Sequence, residues 1–346
     1  MRVYLDHNAT TPLRAEARDA IVAAMDVVGN PSSVHQEGRA AKSALERARQ
    51  TIASAFGADG AEVVFTSSAT EAAALALRGR DIMGSPVEHD AVRAWVDESL
   101  AVQTNGLVEV TDPASSSVQL ANSETGVVQS LPQGLAVTDA TQAFGKLPIA
   151  FNWLGADMAI VSAHKLGGPK GIGALVMKRG IDLDVLLKGG GQEMGRRAGT
   201  ENIIGAVGFA AAAEAAQHDI EKGVWDNVEK LRDLMEATIE NEAKETIFLG
   251  KESKRLPNTS CFALPGWKGE TQVMQMDLAG YAISAGSACS SGKVKASAVL
   301  QAMGYDATTA SSAIRVSLGP ETTEQDVLGF AESWLSQWRK YRARAA

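Results

Sequence analysis

"DMAIVSAHKLGGPKGIGALV", residues 157–176, decides the fold. Its first residues, 157–163, are apolar and β-branched and read as a buried strand. A second such run, "GALVMK" (173–178), follows after a glycine-rich turn. Between the two stand His164 and Lys165. In open α/β sheets ligands bind beyond the ends of strands. A lysine placed there and stripped of part of its water has a lowered amine pKa and becomes a nucleophile toward carbonyl groups.

Outward from this stretch the pattern alternates. "EVVFTS" (62–67), "SVQLA" (117–121) and "LAVTDA" (135–140) read as strands, while "EAAALALRGR" (71–80) and "HDAVRAWVDESLAV" (89–102) read as helices. Alternation of this kind predicts a mostly parallel sheet with helices on both faces, hence an α/β protein. An Ala-rich helix at 203–217 and an amphipathic one near 223–243 come next. The order then becomes mixed, with strands expected at 246–250, 259–264, 281–285 and 313–319 and a closing helix at 322–343. We read a large domain over 16–222 and a smaller α/β domain made of 1–15 and 223–346.

A chain of 346 residues with 45% hydrophobic content exceeds what one core usually supports, in keeping with two domains. The net charge of −8 repels phosphate backbones and no long basic run offsets it, so nucleic acid is not an expected partner. The basic tail "WRKYRARAA" (338–346) reads as a solvated helix end. No apolar stretch has spanning or leader length, so no membrane partner is expected. Two cysteines cannot form a disulfide framework, which points to the reducing cytoplasm. No Cys/His cluster has ligand spacing, and no metal site is expected.

Two further features bear on chemistry. Asp139 closes the predicted strand "LAVTDA", where a carboxylate can pair with a protonated pyridine nitrogen and make pyridoxal phosphate an electron sink. "FTSSATEAAALAL" (65–77) runs from a strand into a helix start, with Ser68 and Glu71 at capping-box spacing. A helix start also binds phosphate through its free N–H groups and positive dipole end, and Thr70 adds a hydroxyl. Each feature alone reads equally well as ordinary structure; the combination favours a cofactor site.

The chain resembles the cysteine desulfurases of the class V aminotransferase superfamily, fold type I pyridoxal phosphate enzymes. The resemblance rests on "YLDHNATTP" (4–12), "GNPSSVHQEGR" (29–39), "TSSATEA" (66–72), "EH" (88–89), "NSETGVVQ" (122–129), "DATQAFGKLPI" (139–149), "SAHKLGGPKGIGAL" (162–175), "GGGQEMGRRAGTEN" (189–202), "SAGSACSSG" (284–292) and "IRVSLG" (314–319). It implies a large domain with a sheet of the seven-stranded type and a smaller C-terminal domain. It implies that Lys165 carries pyridoxal 5'-phosphate covalently, that His89 stacks on its ring and moves protons, that Asp139 pairs with the ring nitrogen and that Gln142 lies near the ring hydroxyl. Ala69, Thr70, Ser162 and His164 would hold the phosphate, joined by Thr200 from a second subunit of a homodimer. Asn8 and Arg315 would hold the carboxylate of L-cysteine, and Cys289 would accept its sulfur.

Such a thiolate attacks the substrate Sγ, leaving alanine and an enzyme persulfide that a sulfur-acceptor or scaffold protein can take up, as for iron–sulfur cluster or thio-cofactor assembly. The Gly/Ser setting of Cys289 suits a sulfur carrier, whereas Cys261, on an apolar strand, reads as core. Lys170 reads as solvated or at a subunit contact, and His35 with Arg39 as holding a local turn. Three departures from the family pattern stand out. Ser123 occupies a cofactor-facing position that is commonly asparagine, the stretch 103–137 is short, and the C-terminus lacks a scaffold-binding extension. Selenocysteine lyase, class V aminotransferase and a catalytically impaired paralogue that binds a sulfur-transfer partner remain as alternatives.

Overall fold

The computed structural model describes residues 2–286 and 296–345; Cys289 lies outside the described residues. In chain order the first elements are β1 (Val3–Tyr4), α1 (Ala15–Met25), α2 (Gln36–Ala55), β2 (Glu62–Thr66), α3 (Ala69–Leu77), α4 (Asp90–Arg93), β3 (Leu135–Asp139), β4 (Ala156–Ser162), β5 (Gly173–Met177) and α5 (Ile203–Glu221). They are followed by α6 (Val224–Glu242), β6 (Ile247–Phe248), β7 (Thr259–Ala263), α7 (Gly269–Leu278), β8 (Tyr281–Ala282), β9 (Ser284–Ala285), α8 (Ala298–Ala302), α9 (Ala307–Ser312), β10 (Ala313–Ser317) and α10 (Glu324–Ala345).

The first sheet has the order β2-β5-β4-β3, and its strands are buried almost throughout. The α/β class is as expected, but the sheet is mixed and, among the described residues, four-stranded: β3 and β4 are parallel, while β5 runs antiparallel to both β2 and β4. The cause lies in the connection. Parallel neighbours need a crossover of a dozen or more residues, usually helical. The turn 163–172 is too short for one, so β5 must return antiparallel.

Beyond β3 the edge continues only as isolated parallel bridges, Ser117 to Val137 and Met83 to Ser116 and Asp97. The strand expected at 117–121 is therefore a bridged extended segment. The helix expected at 89–102 stops at Arg93, because tertiary pairing claims the backbone that follows. Asp97 donates to Ile82 O and accepts from Gly84 N, and Leu100 donates to Gly84 O.

The Ala-rich α5 packs against α1 and α2, and its Gly208 lets them approach: a Cβ there would lie 2.6 Å from Ile21. The second sheet, β6-β7-β10-β9, is antiparallel. β1 pairs with β8, and Leu5 enters a core with Trp225, Trp267, Phe330 and Trp334. Trp334 is fully buried, its ring 5.3 Å from Trp267 and 5.4 Å from Phe262, and its indole N–H donates to Gln272 Oε1 at 2.9 Å. Trp334→Ala removes this ring contact and leaves a cavity. An unfolding free energy lower by about 3–5 kcal/mol is expected in a denaturant titration; a loss below ~1 kcal/mol would show that the core does not depend on it.

Candidate active site

β4 ends at Ser162, and a single helical turn over Ala163–Lys165 carries Lys165 past the strand end. The half-buried Lys165 Nζ donates to the backbone carbonyls of Asn8 at 2.6 Å and Ala9 at 2.9 Å, and Thr11 Oγ1 holds the Lys165 carbonyl at 2.9 Å. The N-terminal segment is drawn in by backbone bonds from His7 to Ser317 O and from Thr11 to His164 O.

Asn8 is buried and joined on all sides. Its Nδ2 donates to Thr259 Oγ1 at 2.9 Å and Ser123 O at 3.2 Å, and its Oδ1 accepts from Asn258 at 3.0 Å. Arg315, buried at 5% exposure on β10, donates to the same Ser123 O at 3.0 Å and pairs with Asp6 at 2.8 Å. Donors from Asn8 and Arg315 thus converge on one oxygen, as they would on a carboxylate.

His89 caps α4, its Nδ1 accepting from Ala91 N at 3.1 Å. It lines a cavity of about 70 Å³ with Ser123, Glu124, Gly286, Ala298 and Arg315. The described residues that flank 287–295 thus reach the same space as His89 and Arg315. The neighbouring Glu88 accepts from Gln119 N at 2.9 Å. Leu120, next along, donates to Asp139 O at 2.9 Å, tying the His89 loop to the end of β3. Asp139 Oδ1 accepts from Thr141 N, and Gln142 Nε2 donates to Asn8 O at 3.0 Å.

At the start of α3 the capping box forms with a shifted return arm. Ser68 Oγ accepts from Glu71 N at 3.3 Å, while the Glu71 carboxylate reaches Ser67 N at 2.7 Å. Ala69 and Thr70 open the helix, where first-turn N–H groups point outward. Gly173 lies opposite Ser162 in the sheet register, and a Cβ on it would stand 2.9 Å from Ala69 N. The absence of a side chain at 173 therefore lets β5 pass close against the start of α3, next to Ser162. His164 Nδ1 lies 3.1 Å from Thr10 Oγ1, and burial, with Lys165, Lys170 and Lys146 nearby, lowers its pKa to about 4.

Thr200 is exposed and lines a different cavity, of about 210 Å³, with Thr66, Ser67 and Arg197. Cys261 is buried in β7, and burial pushes its thiol up. Lys170 is exposed, and His35 caps α2 by accepting from Gly38 N. Among the described residues no three His, Cys, Asp or Glu side chains gather as metal ligands, and no helix is long and apolar enough to cross a membrane.

Three buried ionisable groups escaped the sequence reading. Burial pushes Glu88 up to about 8, with Asp139 adding to the rise. Burial likewise raises Glu124 to about 7, although Ser297 Oγ donates to it at 2.5 Å. Lys146, inside the motif "DATQAFGKLPI", is 2% exposed and is held well below the ordinary lysine value by burial and by Lys165 and Arg315. None belongs to an amphipathic pattern, the one signal that could have exposed burial.

Glu88 supplies a test. Its carboxyl has an ordinary value of 4.5, and about 8 in the folded chain. The folded state binds the extra proton between these values, so stability falls as pH rises from 4.5 to about 8 and levels off above. Glu88→Gln keeps the oxygen that accepts from Gln119. Thermal unfolding across pH should lose this decline in the variant, leaving it more stable than wild type at alkaline pH and little changed near pH 4.5; parallel profiles would refute the assignment.

The Aminotransferase class-V family matches residues 3–330. The cysteine desulfurase of Cereibacter sphaeroides is 40% identical over 364 positions, covering 94% of this chain and 93% of that protein. Cysteine desulfurase IscS of Dictyoglomus turgidum is 36% identical over 361 positions, covering 94% and 91%. Both alignments are longer than the 346-residue chain itself, so these relatives carry residues that it lacks. Among solved structures, a NifS-like protein from Rickettsia africae superposes with a TM-score of 0.89 at 29% identity, covering 98% of this chain and all of that one. With a family match over nearly its whole length and relatives at this identity, the chain belongs to the aminotransferase class-V family, among its cysteine desulfurases.

Proposed function

We infer that this protein is a pyridoxal phosphate-dependent cysteine desulfurase that converts L-cysteine to L-alanine and passes the sulfur to Cys289. The observation that carries the reading is the convergence of Lys165, at the end of β4, with Asn8 and Arg315 through one hydrogen-bonded line: Lys165 Nζ to Asn8 O, Asn8 Nδ2 to Ser123 O, Arg315 to Ser123 O. Pyridoxal phosphate, when bound, supplies the electron sink that lets an amino acid lose its α-proton. The residues present suit such a group. Lys165 offers an amine, the helix start at Ala69 and Thr70, with Ser162 and Gly173 beside it, suits a phosphate, His164 stands beside Lys165, and Asp139 suits a ring nitrogen.

The chain's own groups divide the remaining work. Arg315 and Asn8 grip the substrate carboxylate and set its orientation, which a flexible lysine would do less well. His89, on the wall of the cavity, moves protons. Gln142 would lie toward the ring hydroxyl of such a cofactor, and Ser123 would face it with a shorter side chain than the asparagine common there. A thiolate at Cys289 takes the sulfur: its S attacks the substrate Sγ, the Sγ–Cβ bond breaks, its electron pair stays with the alanine carbon and is protonated, and the enzyme keeps the persulfide. Gly286 and Ala298 border the same cavity as His89 and Arg315, which supports this reading.

We further propose the division 16–222 against 1–15 with 223–346, supported by the pairing of β1 with β8 and by the place of Leu5 in the Trp334 core. Missing length in 103–137 accords with the irregular backbone there. Thr200, exposed on its own chain, suits contact with a second subunit's phosphate in a homodimer. A cytoplasmic location and a persulfide-accepting protein partner complete the reading. Purified protein given L-cysteine and a thiol reductant should release alanine and sulfide in equal amounts. Cys289→Ala should lower turnover at least about 100-fold, as loss of a nucleophile does, while keeping the cofactor's absorbance; Lys165→Ala should lose that imine absorbance. Full turnover by Cys289→Ala would reject Cys289 as the acceptor.

A further inference from the structure

Lys146 has no part in the chemistry above, yet it sits at its foundation. Its Nζ lies 2.9 Å from Gln142 Oε1 and 3.2 Å from Asn8 Oδ1, in a fully enclosed position. As an ammonium it meets both oxygens with N–H groups and has no lone pair to accept one. The consequence falls on the two amides. A side-chain amide has a donor end and an acceptor end of nearly equal shape, which a half-turn exchanges. With an ammonium on one side, that half-turn would set N–H against N–H.

Gln142 must therefore turn its oxygen to Lys146 and its NH₂ to Asn8 O, the carbonyl that also accepts from Lys165. Asn8 is fixed the same way. Its oxygen is shared by Lys146 and Asn258, which leaves its NH₂ for Thr259 Oγ1 and for Ser123 O, where Arg315 also donates. A turned Asn8 would place a carbonyl oxygen beside the guanidinium and toward any bound carboxylate.

We propose that Lys146 is a positioning residue for substrate recognition: by donating to both amide oxygens it holds Asn8 with its N–H end, and not its carbonyl oxygen, beside Arg315 and toward a carboxylate. The inference rests on the reading of Asn8 and Arg315 as the carboxylate grip, and one experiment separates the two. In cofactor-loaded protein, the affinities of L-alanine and of ethylamine, its decarboxylated counterpart, are read from the cofactor's absorbance.

Wild type should prefer L-alanine. Lys146→Met keeps the apolar stem and removes the donors. It should lose about tenfold of that preference, the scale of one charge-assisted hydrogen bond losing its orientation, with ethylamine affinity and cofactor content unchanged. Lys146→Arg, which retains a head that only donates, should keep the preference. An unchanged preference in Lys146→Met, or equal losses for both ligands as general structural damage would give, overturns the proposal. Should Lys146→Met fail to fold, Lys146→Arg decides alone, and loss of its preference is fatal. A wild type without any preference fails the carboxylate grip itself, and this inference with it, a result distinct from a loss confined to the variants.

Discussion

The site depends on one buried amide. Asn8, 1% exposed, is bonded through its backbone and side chain to Ser317, Thr259, Asn258, Ser123, Gln142, Lys146 and Lys165. An enclosed amide with empty valences would cost several kcal/mol, roughly 2–7, so the partners must be in place for the segment to stay buried. They come from different layers: Lys165, Gln142 and Lys146 from the first sheet and its connections, Thr259 and Ser317 from the second. The amine and the guanidinium can therefore face a common ligand only when both sheets are assembled around residues 5–11. A completed network of this kind is rigid, and rigidity is what an orienting site needs.

Charge is distributed against the grain of the whole molecule. The chain carries a net −8, yet Lys146, Lys165 and Arg315 cluster behind the proposed substrate position, and burial together with Lys146 and Arg14 depresses His7. A cationic recess in an acidic surface focuses field lines and favours a small anion over a large polyanion. The acids closest to it are muted. Glu88 and Glu124 are buried far enough to hold protons near neutrality, and Asp6 is consumed by Arg315. Burial, with Lys165, Lys170 and Lys146 adding to it, lowers the His164 pKa to about 4, so it serves as a hydrogen-bonding group rather than a charge.

What could be read from sequence divides along physical lines. Strands 62–66, 135–139, 156–162 and 173–177 lie within a residue or so of their predicted places, since continuous apolar runs bounded by glycine and turn residues leave little choice. The capping Ser68 was legible for the same local reason. The direction of β5 was missed, since alternation alone suggests parallel strands, although the short length of 163–172 carried the signal. The helix at 89–102 misled because periodicity reports a preference, and pairing to residues 82–84 outbid it over 97–100. Lys146 and Glu88 were invisible: a polar residue that is buried because distant amides receive it leaves no trace in local pattern. Glu193 is a similar case. It adopts φ +47, a strained left-handed value, because Arg49 and the Phe65 N–H hold its carboxylate.

Ser123 looks at first like a weakness, being shorter than the asparagine common at that position. The structure changes the weight of the substitution. Both Asn8 and Arg315 bind the main-chain oxygen of residue 123, not its side chain. That oxygen is held in place from the preceding residue, whose Oδ1 accepts the N–H groups of Glu124 and Thr125 and so winds the turn. Asn122 is spent on this fold-back and cannot stand in for a missing amide at 123. The side chain at 123 can therefore shorten without disturbing the corner where donors converge, and the effect is confined to whatever the hydroxyl faces. On the roles proposed above, recognition of the carboxylate and tuning of the cofactor are separable at this residue because one uses backbone and the other side chain. A chain can thus lose the second contact and keep the first.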